Sequence, residues 1–124
     1  MAEKKIVLAI DDNVQQLNEF KHMLVSQYDL RVVKSASEAL FFLNSNNADM
    51  ILLDIEMPNI SGFEFLDDIR KIPSYDQVPI IIVSANNGQD FLDRAKSSSA
   101  TDVLIKPVAP DTLIEKIEKA LAGI

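Results

Sequence analysis

Apolar positions along this chain follow two alternating rhythms. Five short runs are almost wholly apolar: IVLAI (Ile6 to Ile10), LRVVK (Leu30 to Lys34), MILLD (Met50 to Asp54), PIIIVS (Pro79 to Ser84) and DVLIK (Asp102 to Lys106). The first, third and fourth are near-continuous in Val, Ile and Leu, the pattern of strands covered on both faces of a parallel sheet. LRVVK is more polar and predicts an edge strand. Between the runs, apolar residues return every three or four positions. Val14, Leu17, Phe20, Met23 and Leu24 form one such series, Ala39, Leu40 and Leu43 the next. Phe63, Leu66 and Ile69 follow, then Leu113, Ile117 and Leu121, and each series predicts a helix with one apolar face. Ser35 with Glu38, and Ser61 with Glu64, match the capping box that opens a helix. Pro110 suits a first helical turn. Gln89 to Ser99 carries the weakest helical signal, with Ser97, Ser98 and Ser99 fraying its end.

Strict strand–helix alternation predicts an α/β fold with a five-stranded parallel sheet and helices on both faces. With right-handed crossovers few topologies remain. A common one is the flavodoxin-like strand order 2-1-3-4-5, whose ligand crevice lies at the carboxyl ends of strands one and three.

Length and composition narrow the picture further. The 124 residues read as one domain spanning 1–124, large enough to fold around a core without disulfides or structural metal. No output domain is expected within this chain, and Met1 reads as a true N-terminus. A net charge of −7, with Lys4-Lys5 the only adjacent basic pair, argues against direct binding of nucleic acid. There is no Cys, which excludes thiol chemistry and fits a cytoplasmic protein. No run approaches the roughly 20 apolar residues of a membrane span, and Ile6 to Ile10 is too short for a secretory signal.

In that topology the chemistry gathers at one rim. Strand one runs into Asp11-Asp12 and strand three into Asp54, so three carboxylates meet at the edge of a dry sheet. Two unit charges ~4 Å apart at an effective dielectric of ~20 repel by about 4 kcal/mol. Either their pKa values rise or a cation joins them. A hard divalent ion such as Mg²⁺, with Mn²⁺ as a substitute, fits carboxylate oxygens. Lys106 closes strand five at the same rim and supplies a mobile ammonium. Ser84 ends strand four there with a hydroxyl, followed by the small Ala85.

This combination resembles the receiver domain of two-component response regulators. The resemblance covers nearly the whole chain and rests on IDDN (Ile10 to Asn13), LLDIEMP (Leu52 to Pro58), SGFEFL (Ser61 to Leu66), PIIIVSA (Pro79 to Ala85) and IKP (Ile105 to Pro107). It implies that Asp54 is the phosphoacceptor, taking a phosphoryl group from a histidine kinase or phosphotransfer protein. It implies that Asp12, Asp54 and the backbone carbonyl of Glu56 ligate Mg²⁺, with Asp11 acting through a bound water. Lys106 and Ser84 would each meet a phosphoryl oxygen, and Ala85 would keep the approach open. The side chains of Glu56 and Asn86 would sit beside the phosphoryl group and tune its lifetime. The implied protein is a signalling switch, not a dedicated enzyme, acting through an unidentified downstream protein.

The bland readings are few. His22 sits on a polar stretch and reads as a surface residue, Glu56 as a solvent-facing side chain, and Phe41-Phe42 as one surface and one core residue. The chain also departs from the family pattern at Val103, where receivers usually carry Tyr or Phe. A valine has one stiff χ1 and no ring to swing, so the relay from site to output surface is expected to use the loop after Ser84 or a different face. Alternatives are a pseudo-receiver adaptor working without phosphotransfer, and a receiver fragment of a hybrid kinase or larger regulator. A haloacid dehalogenase-type phosphatase needs a DxD pair that Asp54-Ile55-Glu56 only approximates. A flavodoxin is disfavoured because Asp11-Asp12-Asn13 would repel a phosphate.

Overall fold

A computed structural model describes residues 3–58 and 60–123. Met1, on which the reading of a true N-terminus rests, and Ile124 lie outside them. Five strands, β1 (Ile6–Ile10), β2 (Asp29–Val33), β3 (Met50–Asp54), β4 (Ile80–Ser84) and β5 (Asp102–Ile105), form one parallel sheet in the order β2-β1-β3-β4-β5. The helices are α1 (Val14–Leu24), α2 (Ala36–Ser45), α3 (Gly62–Lys71), α4 (Gln89–Ser97) and α5 (Pro110–Ala122). A short 3-10 turn, Pro73–Tyr75, follows α3. Strand order and edge assignment agree with the apolar pattern. The α4 helix stops at Ser97, because Ser98 turns to extended backbone and its hydroxyl donates to the Ala95 carbonyl.

Alternation along each strand divides the core in two. Leu8, Ile10, Ile51, Leu53, Ile80 and Ile82 face α2, α3 and α4, where they meet Ala39, Leu43, Phe65, Leu66, Ile69 and Ala95. Val7, Ala9, Met50, Leu52, Ile81, Val83 and Leu104 face α1 and α5, against Leu17, Phe20, Leu24, Leu113, Ile117 and Ala120. β3 and β4 are buried along their whole length, as central strands must be when both faces are covered. Val14, counted on the apolar face of α1, is exposed, because it stands in the first turn at the open edge of the molecule. Of the phenylalanine pair, Phe42 packs on the core and Phe41 is 78% exposed.

Local signals set the helix ends. The side chains of Asn13, Ser35 and Ser61 cap α1, α2 and α3 by accepting the backbone N–H three residues on. Gly62 opens α3 so close to β3 that a Cβ would run into the Ile55 carbonyl. At the amino ends of the strands, Arg70 acts as a tie. Its guanidinium donates to the carbonyls of Tyr75, Val78 and Ser99 at 2.8, 2.6 and 2.8 Å. The Tyr75 hydroxyl continues the tie by donating to the Asn46 carbonyl at 2.8 Å.

Gly62→Ala forces α3 away from the Ile55 backbone just after β3, so it should cost about 1–3 kcal/mol, the usual range for overpacking. Urea unfolding measures this, and an unchanged midpoint would show that the close approach is no constraint.

Candidate functional site

The register of the sheet builds the site. Ile10 pairs with Leu53, so the residues that follow, Asp11 and Asp54, end neighbouring strands side by side. Ser84 pairs with Ile105, which sets Lys106 just beyond it, and the Lys106 N–H donates to the Ser84 carbonyl at 2.8 Å. Four strands thus contribute one residue or more each to a single rim.

Asp11 and Asp54 are 1% and 6% exposed, whereas Asp12 faces solvent. One oxygen from each of the three lies within 4.8 Å of the others. Lys106 stands between the two buried acids, its Nζ 3.0 Å from Asp11 Oδ2 and 3.6 Å from Asp54 Oδ2. The remaining oxygens are also engaged. The Asn13 N–H donates to Asp11 Oδ1 at 2.9 Å, and the Glu56 N–H donates to Asp54 Oδ1 at 3.0 Å. Both arms of the expected compensation are therefore in use. Burial pushes the Asp54 carboxyl from 3.8 up to about 6, opposed by the Glu56 N–H and Lys106 and reinforced by Asp11. Burial works to lower the Lys106 pKa, but the hydrogen bond to Asp11 and the charges of Asp54 and Asp11 outweigh it and raise the pKa.

Ser84 is wholly buried. Its hydroxyl donates to Glu56 Oε1 at 2.6 Å and accepts the Asn86 N–H at 3.0 Å. The sequence reads the Glu56 side chain as solvent-facing, and the family resemblance places it beside the phosphoryl group, but neither reading pairs it with Ser84. It is exposed, yet its carboxylate is bound inward to Ser84 across 28 positions of sequence. Only the parallel placement of β3 and β4 could have flagged this pair. Ala85 and Asn86 are exposed beside the rim, and His22 is on the surface. Val103 does not reach the rim. It is half-buried on β5 opposite Ile82 and packs on the α2–α3–α4 side of the core.

The donor set is hard oxygen at close spacing, which suits a small divalent cation. Asp12, Asp54 and Asp11 supply the carboxylates, and the Glu56 carbonyl adjoins them in sequence. Among the described residues no helix is long and apolar enough to cross a membrane.

Fold and rim together define a doubly wound α/β domain with its charged chemistry gathered at the carboxyl edge of a parallel sheet. Residues 7–118 match the response regulator receiver domain. The chain is 35% identical over 114 residues to the CAI-1 autoinducer sensor kinase/phosphatase CqsS of Vibrio cholerae, covering 90% of this chain but only 16% of that protein. It is 30% identical to the two-component response regulator ARR5 of Arabidopsis thaliana, covering 95% of this chain and 75% of the other. The crystal structure of the chemotaxis protein CheY4 of Vibrio cholerae matches with a TM-score of 0.88 at 28% identity, covering 95% of this chain and 99% of that one. The chain belongs to the response regulator receiver domain family of two-component signalling. Members of this family interact with histidine kinases or phosphotransfer proteins, bind Mg²⁺ at an acidic pocket, and serve generally as signalling switches.

The raised Asp54 pKa carries a stability consequence for the metal-free protein. Between pH 3.8 and about 6 the folded state keeps a proton that the unfolded chain has lost, so stability falls as pH rises through that window. Asp54→Asn cannot ionise and keeps Lys106 paired with Asp11. In EDTA at pH 7.5 it should be more stable than wild type by about 1–3 kcal/mol, at 1.36 kcal/mol for each pKa unit. It should also lose the fall between pH 4 and 6. Parallel pH–stability curves for the two proteins would contradict this.

Proposed function

We propose that this chain is a phosphorylatable switch whose acceptor is Asp54. The observation that carries the reading is a buried carboxylate held within 4.8 Å of two others and faced by a lysine from a strand two places away. The phosphodonor is a histidine kinase or phosphotransfer protein. A carboxylate oxygen of Asp54 attacks phosphorus, the P–O bond forms as the P–N bond of the phosphohistidine breaks, and the imidazole nitrogen leaves with the electron pair. The Glu56 N–H orients the Asp54 carboxylate. Lys106, poised between Asp11 and Asp54, moves its ammonium to a phosphoryl oxygen as negative charge arrives. Asp12, Asp54 and the Glu56 carbonyl would hold Mg²⁺ or Mn²⁺. Asp11, held by the Asn13 N–H and Lys106, would act through water. When bound, the metal supplies neutralisation of charge on the transferring phosphoryl group. Exposed Ala85 leaves the approach open.

The output is a change in protein contacts. Val103 packs against the core with no ring to rotate, so the signal leaves through the loop after Ser84 or another face, not through an aromatic swing on β5. The whole-protein setting, including the CqsS-like one in which a receiver forms a small part of a sensor kinase, belongs to the same reading.

Incubation with acetyl phosphate and Mg²⁺ should add the mass of one phosphoryl group to wild type and none to Asp54→Asn, read by intact mass. No gain in wild type, while a reactive receiver control is modified, would favour an adaptor that works without phosphotransfer. Millimolar Mg²⁺ should raise the melting temperature of wild type by mass action. Asp12→Ala should abolish that rise, and a wild-type melting temperature indifferent to Mg²⁺ would count against the metal assignment.

A further inference from the structure

Ser84 has one hydroxyl proton, and that proton is already committed. The hydroxyl donates to Glu56 Oε1 at 2.6 Å while its oxygen accepts the Asn86 N–H at 3.0 Å. The residue is 0% exposed, and no solvent reaches it to supply another acceptor. A hydroxyl donates to one acceptor at a time. A phosphoryl oxygen on Asp54 and the Glu56 carboxylate therefore compete for the same proton.

We infer that the Glu56 side chain is a latch, a positioning residue that holds the Ser84 hydroxyl away from the acceptor until a phosphoryl group displaces it. The inference rests on Asp54 as phosphoacceptor and adds to it the event that separates the two states. Glu56 is suited to this because it touches both partners. Its N–H donates to Asp54 Oδ1 at 3.0 Å while its carboxylate binds Ser84. A phosphoryl group carries up to about two negative charges. Its arrival two residues from Glu56 repels the carboxylate as it offers Ser84 a better-placed anion. Release of Glu56 frees the hydroxyl to turn, and the turn acts on the Asn86 N–H that the same oxygen holds. The first residues to respond are then Asn86, Asn87 and Gly88, joined locally by the Gly88 N–H donating to Asn86 Oδ1 at 2.9 Å. This chain of contacts bypasses Val103.

A mere charge effect makes a different prediction, because any anion near the site would weaken phosphoryl binding whether or not it touched Ser84. A double-mutant cycle separates the two. The probe is beryllofluoride with Mg²⁺, a phosphoryl mimic, and affinity is measured by NMR titration of wild type, Glu56→Ala, Ser84→Ala and the double variant. The latch requires Glu56→Ala to tighten beryllofluoride binding at least about fivefold more in the Ser84 background than in the Ser84→Ala background, as expected for a hydrogen bond to a charged group. Equal gains in both backgrounds overturn the latch and leave Asp54 as acceptor standing. Absence of beryllofluoride binding by wild type, together with no mass gain from acetyl phosphate, overturns both.

A second readout needs neither metal nor phosphoryl group. In EDTA, Glu56→Ala should shift the Asn86 amide resonance and speed its hydrogen exchange. Glu56→Gln, which keeps an acceptor without the charge, should restore much of both. An Asn86 amide identical in all three proteins overturns the latch. Should Ser84→Ala unfold, Ser84→Thr retains the hydroxyl and must preserve the wild-type response to Glu56→Ala, failing which the latch is wrong.

Discussion

Asp11 and Asp54 end adjacent strands of a sheet that is dry on both faces, and the ammonium of Lys106 is what allows both to remain there. Its partner Asp11 is 95 positions away in sequence. Lys106 reaches the gap only because β5 is registered on β4 and β4 on β3. The pairing and the sheet therefore support each other. If β5 slipped by one residue, the side chain of Lys106 would leave the rim, and two carboxylates would face each other uncompensated. Even with the lysine present, burial keeps Asp54 reluctant to ionise. The Asp54 carboxyl thus carries tension that an arriving cation would relieve.

Much of this arrangement was legible in the chain. The five apolar runs marked the strands, and alternation with helical series implied the parallel order, because these depend on local periodicity. The gathering of Asp11, Asp54, Ser84 and Lys106 followed once the order was known, since each ends a strand. What escaped depended on side-chain direction. Asp11 and Asp12 are equivalent as letters, yet successive residues leaving a strand point to opposite sides, and only Asp11 turns inward. The Glu56–Ser84 bond is a rotamer choice between two residues 28 apart, which no spacing encodes. The 3-10 turn at Pro73–Tyr75 is a third case. It is anchored by Arg70 and Tyr75, whose partners are backbone carbonyls remote in sequence.

Family membership fixes the kind of signalling, while two positions give this chain its own character. Val103 is a stiff, half-buried residue packed on the α2–α3–α4 side of the core, with no ring to rotate. Glu56 brings a carboxylate to the Ser84 hydroxyl, whose oxygen also accepts the Asn86 N–H. In the proposed switch they shift the moving parts from the far strand to the loop immediately after β4, where Ala85 to Gly88 are exposed.

That loop lies opposite the Arg70 tie. One guanidinium and one phenol fasten the approaches to β3, β4 and β5 at their amino ends. The carboxyl ends carry the charges and the exposed loops. The molecule is in effect a cantilever, clamped at one end and loaded at the other. A force applied at the tip cannot be dissipated by sliding the strands at their root, so it is spent in bending what is free to bend. Weakening the clamp would therefore dull the response at the tip without touching a single group there.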